Sequence, residues 1–200
     1  MVRFVLCVVA GLGLVVCSSD IYGEAVPYRS DAKAPIEVTI PPNAQYLSQQ
    51  FYHPKRDSGS FHNGLDVKRQ LGDPVIAAAP GVVVASYYEP AYGNRIRIDH
   101  GVNADGAHVY TKYYHLDQRL VAVGDVVDRG AQIGTMGATG AFGLANHLHF
   151  ETHIHAPGRR SLPVDPNLMW VDGVGQVTCY EAARGYRGLA TKMTYPTPCR

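Results

Sequence analysis

Neither sign of charge is in excess along this chain: 18 Lys and Arg stand against 17 Asp and Glu, for a formal net charge of +1 over 200 residues. A polyanion is held by clustered Lys and Arg, and no such cluster occurs, so nucleic acid is a poor partner class. Long apolar runs are also lacking. The longest, Phe4 to Val16, is too short to span a bilayer comfortably. Helix-length stretches free of breakers are scarce as well, because 21 Gly and 13 Pro recur at short intervals, which favours short strands joined by turns. Several chemical signatures are missing. There is no Gly-x-Ser-x-Gly elbow, phosphate-cradling loop, His-Glu-x-x-His helix motif or reactive-cysteine constellation, so covalent, nucleotide and helix-borne metalloprotease chemistries find no support. What is present is a 46% hydrophobic content, enough for a real core at single-domain length, and nine histidines.

The N-terminus reads as an export signal over residues 1–25, with Arg3 ahead of the apolar run and Gly23 and Ala25 at small-residue cleavage positions. The same stretch can be read as a lipoprotein signal ending at Cys17, giving a lipid anchor, although Val16 is bulky for one. Residues 26–45 carry Pro27, Pro35, Pro41 and Pro42 without apolar periodicity and read as a linker or extended arm. The domain is placed at 46–170, followed by a tail, 171–200. In an oxidising compartment Cys179 and Cys199 form the natural disulfide pair closing that tail.

From Pro74 onward β-branched runs alternate with turn signals: Pro74 to Ala79, Val82 to Tyr88, Arg95 to His100, Val109 to His115, Val121 to Val127, Gln132 to Met136 and Leu148 to Ile154. Strands without intervening helices predict an antiparallel all-β fold. Leu71-Gly72-Asp73-Pro74-Val75 and Val123-Gly124-Asp125-Val126-Val127 are alike, and predict two similar hairpin units packed into a duplicated, barrel-sandwich-like architecture.

The run from His147 to His155 is the most informative. Alternation puts His147, His149, Glu151, His153 and His155 on one strand face and Leu148, Phe150 and Ile154 on the other. The apolar face belongs in the core, which leaves imidazoles on an open face, where a metal accounts for them better than packing does. The row is roughly 26 Å long, so two neighbours at most share an ion, and His153 and His155 are expected at the solvated surface. His62-Asn63-Gly64-Leu65-Asp66 offers partners. In a straight strand its His and Asp would sit about 13 Å apart, so the backbone must bend, which Gly64 permits. Two His and a carboxylate are a common catalytic zinc set with a position left for water. His115 is either a satisfied structural histidine or, near an activated water, a proton acceptor or oxyanion stabiliser. His100 and His108 read as structural, and His53 as bordering the site.

Together these residues resemble the LytM- and lysostaphin-type zinc metalloendopeptidases of bacterial cell walls. The likeness runs from His53-Pro54 and His62-Asn63-Gly64-Leu65-Asp66 through Tyr92-Gly93-Asn94, Ile98-Asp99-His100-Gly101, Tyr114-His115-Leu116 and Ile133-Gly134 to His147-Leu148-His149-Phe150-Glu151. It implies zinc ligands His62, Asp66 and His149, catalytic histidines His115 and His147, a groove on an antiparallel sheet, and peptidoglycan stem or cross-bridge peptides as substrate. Gln49 and Gln50 depart from the family's glycine-rich stretch, and Ala145-Asn146 from its Gly-Pro. Two other functions compete: a non-catalytic wall-binding activator of another hydrolase, which should lack ligands, and a lipoyl- or biotinyl-like carrier, which needs a hairpin-tip Lys that is not there.

Overall fold

The computed structural model describes residues 36–51 and 61–200. The export signal, Cys17 and His53 lie outside the described residues. All seven strands read from the sequence form, as β3 (Pro74–Ile76), β4 (Gly81–Glu89), β5 (Gly93–Val102), β6 (His108–Leu116), β7 (Val126–Val127), β8 (Gln132–Thr135) and β9 (Leu148–His155). The fifth is cut to two residues. Three short strands join them: β1 (Leu47–Gln49), β2 (Leu65–Val67) and β10 (Leu162–Val164). Antiparallel pairing gives the order β1-β2-β9-β6-β5-β4-β7, with β10 continuing along the β9 edge beyond β2, and a separate β3-β8 pair. No α-helix forms among the described residues, only the 3-10 turn Pro166–Leu168.

The internal repeat is real as a turn but not as two hairpins. In both copies the Asp side chain accepts from the backbone three residues back, Gln70 N–H to Asp73 at 3.3 Å and Ala122 N–H to Asp125 at 2.8 Å. The strands that follow pair across copies, β3 with β8 and β7 with β4. Interlocked pairing of this kind lets each unit bury the apolar face of the other.

Alternation along β5, β6 and β9 sends Ile96, Ile98, Val109, Tyr113, Leu148 and Phe150 into one core. Two polar groups within it are paired. His100 Nδ1–H donates to the Pro80 carbonyl (2.7 Å), and its Nε2 lies 2.7 Å from Thr111 Oγ1, the structural role read from the sequence. Tyr113 Oη accepts from Ala78 N–H. The segment from Trp170 onward packs onto this core. Trp170, Met193 and Tyr195 are fully buried, and the Arg129 guanidinium donates to the carbonyls of Ala78, Leu189 and Lys192. Arg129 therefore ties the C-terminal segment to the sheet through main-chain acceptors.

Cys179 and Cys199 are bonded, closing a loop with a sequence separation of 20. Closing a loop of that size restricts the unfolded chain by about 3 kcal/mol. Replacing both cysteines by serine is expected to lower the unfolding free energy by about that amount in urea titration. An unchanged midpoint would show that core packing alone holds the segment.

Candidate metal centre

Strand β9 lies between β2 and β6, and register fixes what meets at its start: Asp66 is paired with His149 on one side and Tyr114 with His149 on the other. The chain bends at Gly64 before entering β2. Its φ is not left-handed, so the reason for glycine differs from the one the sequence suggests. A Cβ there would stand 2.2 Å from the Phe150 carbonyl oxygen. Glycine lets the loop lie against β9, which carries His62 over Asp66.

Three atoms converge. His62 Nε2 is 3.1 Å from Asp66 Oδ1 and 3.0 Å from His149 Nδ1, and the last two are 2.8 Å apart. The opposite nitrogen of each imidazole is already used: His62 Nδ1–H donates to the Gln50 carbonyl at 2.8 Å, and His149 Nε2–H to Glu151 Oε1 at 3.2 Å. In their neutral form both rings thus turn a lone pair inward, where a carboxylate oxygen already sits. Three acceptors facing one another need a cation between them. Their spacing is near the ligand-to-ligand edge of about 3.3 Å that follows from tetrahedral zinc with bonds of about 2.0–2.1 Å, so the donor set fits such an ion.

Two more histidines stand over this triangle. His147 Nδ1–H donates to the Ala145 carbonyl (2.7 Å), and its Nε2 is 3.9 Å from Asp66 Oδ1. His115 Nδ1–H donates to the Thr139 carbonyl (2.9 Å), and the two rings are 4.7 Å apart between centroids. Gln50 and Ala145 contribute main-chain oxygens, for which the side chain matters little. His115 has φ 61, a left-handed conformation that costs a non-glycine residue on the order of 1–3 kcal/mol. Its N–H bonds to the Tyr92 carbonyl and its own carbonyl accepts from Thr139 N–H. Gly93 closes against the Thr139 backbone, where any Cβ would collide, and Asn94 Nδ2 donates to the Leu116 and Asp117 carbonyls. The Tyr92-Gly93-Asn94 turn is therefore the clamp that sets His115. Phe61, Tyr92 and Phe142 border a cavity of about 260 Å³ that opens onto the five residues.

The rest of the histidine row is not on an open face. His153 is buried, with Nε2–H donating to Glu151 Oε2 at 2.7 Å, and His155 is half-buried. Neighbouring segments meet the row: Lys112 and Tyr114 of β6 reach Glu151, Tyr110 pairs opposite His153, and Ser161 Oγ lies 3.3 Å from His153 Nδ1. Glu151 went unassigned in the sequence reading. Its signal was parity, since it shares His149's face two residues on.

Electrostatics follow from these contacts. Burial opposes the charging of His149, but Asp66 and Glu151 outweigh it and lift the imidazole to about 9. Burial likewise opposes ionisation of Asp66, yet the bonds from His149 and His62 hold it well below the usual carboxylate range. Burial pushes His115 down to about 4, so it is neutral at physiological pH.

Fold and site together define an antiparallel β protein with a His-Asp-His set able to hold a metal ion and two further histidines above it. The chain belongs to Peptidase family M23, whose model matches residues 60–166. It is 40% identical over 100 residues to the peptidoglycan DD-endopeptidase ShyC of Vibrio cholerae, covering 50% of this chain and 22% of that one. Among solved structures it resembles the catalytic domain of the antimicrobial peptidase lysostaphin from Staphylococcus simulans (30% identity, TM-score 0.50, 61% of this chain and 89% of that one). It also resembles a zinc-containing peptidase from Vibrio cholerae (30% identity, TM-score 0.51, 65% of this chain and 38% of that one). The chain thus spans about a fifth of the curated relative's length.

The pH dependence of the metal-free protein follows. His149 has a folded-state value above its ordinary 6.5, so its contribution is complete below pH 6.5 and is lost as pH rises through about 9. Chelator-treated protein is expected to lose up to roughly 3 kcal/mol across that window, with the trend suppressed by added zinc. Urea unfolding at several pH values reads this, and a flat profile without metal would contradict the account.

Proposed function

We propose that this chain is an exported zinc-dependent endopeptidase that hydrolyses peptide bonds in peptidoglycan stem peptides or cross-bridges. The observation that carries the reading is the inward-facing triangle of His62 Nε2, Asp66 Oδ1 and His149 Nδ1, with its imidazole tautomers fixed from outside. Family membership and the names of its relatives support the reaction and substrate class. The Cys179–Cys199 bond suits an oxidising compartment outside the cytoplasm.

In this reading His62, Asp66 and His149 hold the zinc ion, with Glu151 orienting His149 through Nε2–H. When bound, the ion supplies Lewis acidity at the scissile carbonyl and brings the pKa of water to about 7. The remaining work falls to two side chains. His147 and His115 each have Nδ1–H tied to a backbone carbonyl, so each presents Nε2 as an acceptor. The neutral His115 takes a proton at Nε2 and, once charged, returns it toward developing negative charge or the departing amine. His147, between His115 and Asp66, orients the attacking water by its own Nε2. Phe61 and Phe142 line the same cavity as these two histidines.

Zinc-loaded protein is expected to release peptides from isolated cell walls. Asp66→Ala should lose both bound zinc and cleavage. His115→Ala should keep zinc while kcat falls roughly 10²- to 10⁴-fold. Metal analysis beside a muropeptide digest separates the two outcomes. A His115→Ala enzyme at full rate, or fully metallated wild type that leaves varied walls uncut, would refute the proposal.

A further inference from the structure

The sheet face that carries the metal centre continues beyond it as a row of cations. Register places Arg97 opposite Lys112 and Lys112 opposite Glu151. Directly paired residues on neighbouring antiparallel strands share a face. This row therefore lies beside the one formed by Asp66, His149 and Tyr114. Arg95 extends that first row, its guanidinium 5.0 Å from the Tyr114 ring centroid.

Two of the three cations are balanced within the protein. Arg95 pairs with Glu89, and Lys112 with Glu151 at 3.5 Å. The remaining nearby carboxylate, Asp99, accepts from His108 Nδ1–H at 2.9 Å and from Gly101 N–H. Arg97 has no ion pair among the described residues. Its guanidinium lies 4.4 Å from the Tyr110 ring centroid, and its Nε–H is buried without a hydrogen-bond partner. The side chain keeps partial solvent access. The Tyr110 side chain also bonds to this guanidinium; a guanidinium laid on an aromatic ring is held flat, and its remaining N–H groups match a planar carboxylate. Of the three cations only Arg97 lacks a carboxylate partner among the described residues, and an anionic ligand supplies the missing charge.

We propose that Arg97, flanked by Arg95 and Lys112, is a carboxylate subsite on the sheet face that carries the metal centre, which recognises a free carboxylate two or three residues from the bond that is cut. The inference rests on the peptidase reading given above. Two strand spacings and one two-residue step separate Arg97 from His149, roughly 12 Å between backbones. An extended peptide covers that distance in three to four residues, and the reach of the two side chains shortens the count by about one. Substrates amidated at this carboxylate are therefore poorer than their acidic counterparts.

The test uses the full zinc-loaded chain and synthetic cross-linked stem-peptide dimers of one sequence, made with free carboxylates or with carboxamides. Wild type is expected to cleave the acidic dimers with kcat/KM roughly 10- to 100-fold above the amidated ones, mainly through KM, as a charge-assisted bidentate contact implies. Arg97→Gln should bring the two within about twofold by slowing only the acidic dimers, and Arg97→Lys should restore part of the preference. Equal rates for both substrates with wild type, or equal slowing of both by Arg97→Gln with Arg97→Lys no better, overturns the subsite. If no dimer is cut at all, it is the peptidase reading that fails. Calorimetry with the same dimers then decides the subsite: at least tenfold tighter binding of the acidic form, lost in Arg97→Gln, supports it, and equal affinities overturn it.

Discussion

Three acceptor atoms, His62 Nε2, Asp66 Oδ1 and His149 Nδ1, are held 2.8 to 3.1 Å from one another, and a positive charge between them is what makes the arrangement tenable. Without a metal, one proton shared with His149 does part of that work, which is why its imidazole is lifted to about 9. The surroundings fix the rings before any ion arrives. Gln50 and Ala145 hold His62 and His147 by their carbonyls, Thr139 holds His115, and Glu151 holds His149. Such outer contacts fix tautomer and orientation, and losing one typically costs roughly 10- to 100-fold in metal affinity.

The fold supplies this geometry through one central strand. Strand β9 sends Leu148 and Phe150 into the core and His149 and Glu151 to the opposite face, so core packing and site alignment are a single constraint. A one-residue slip of β9 would exchange the two faces and destroy both. The left-handed His115 is the other expense of the design, met by the clamp around Gly93 and Asn94. Strain of this kind survives where the surrounding structure over-determines it.

Much of this was legible in the sequence. β-branched runs between turn signals located β3 to β9, and the Cys179–Cys199 bond followed from compartment and parity. Strands β1, β2 and β10 have three residues each, too few to show alternation; β2 and β10 form along the edge of β9, and β1 adds onto β2. Parity put Glu151 and His153 on the face of His149 but could not show what covers it. That depends on neighbouring segments, Tyr110 opposite His153 and Ser161 beside its Nδ1, so His153 proved buried rather than solvated. The repeated Gly-Asp turns gave the duplication but not the exchange of strands between copies, because turn chemistry sets a bend and not its partner. The left-handed φ of His115 leaves no mark in composition at all. Gly64 was flagged for a bend, yet the Phe150 carbonyl beside it is the stronger reason for glycine.

X-ray absorption at the zinc edge of purified protein tests the central claim most directly. The account predicts one ion per chain, bound by two imidazole nitrogens and a carboxylate oxygen, with one imidazole contribution lost in His149→Ala or no ion retained. Sulfur in the shell, or a spectrum unchanged by His149→Ala, would place the metal elsewhere and contradict it.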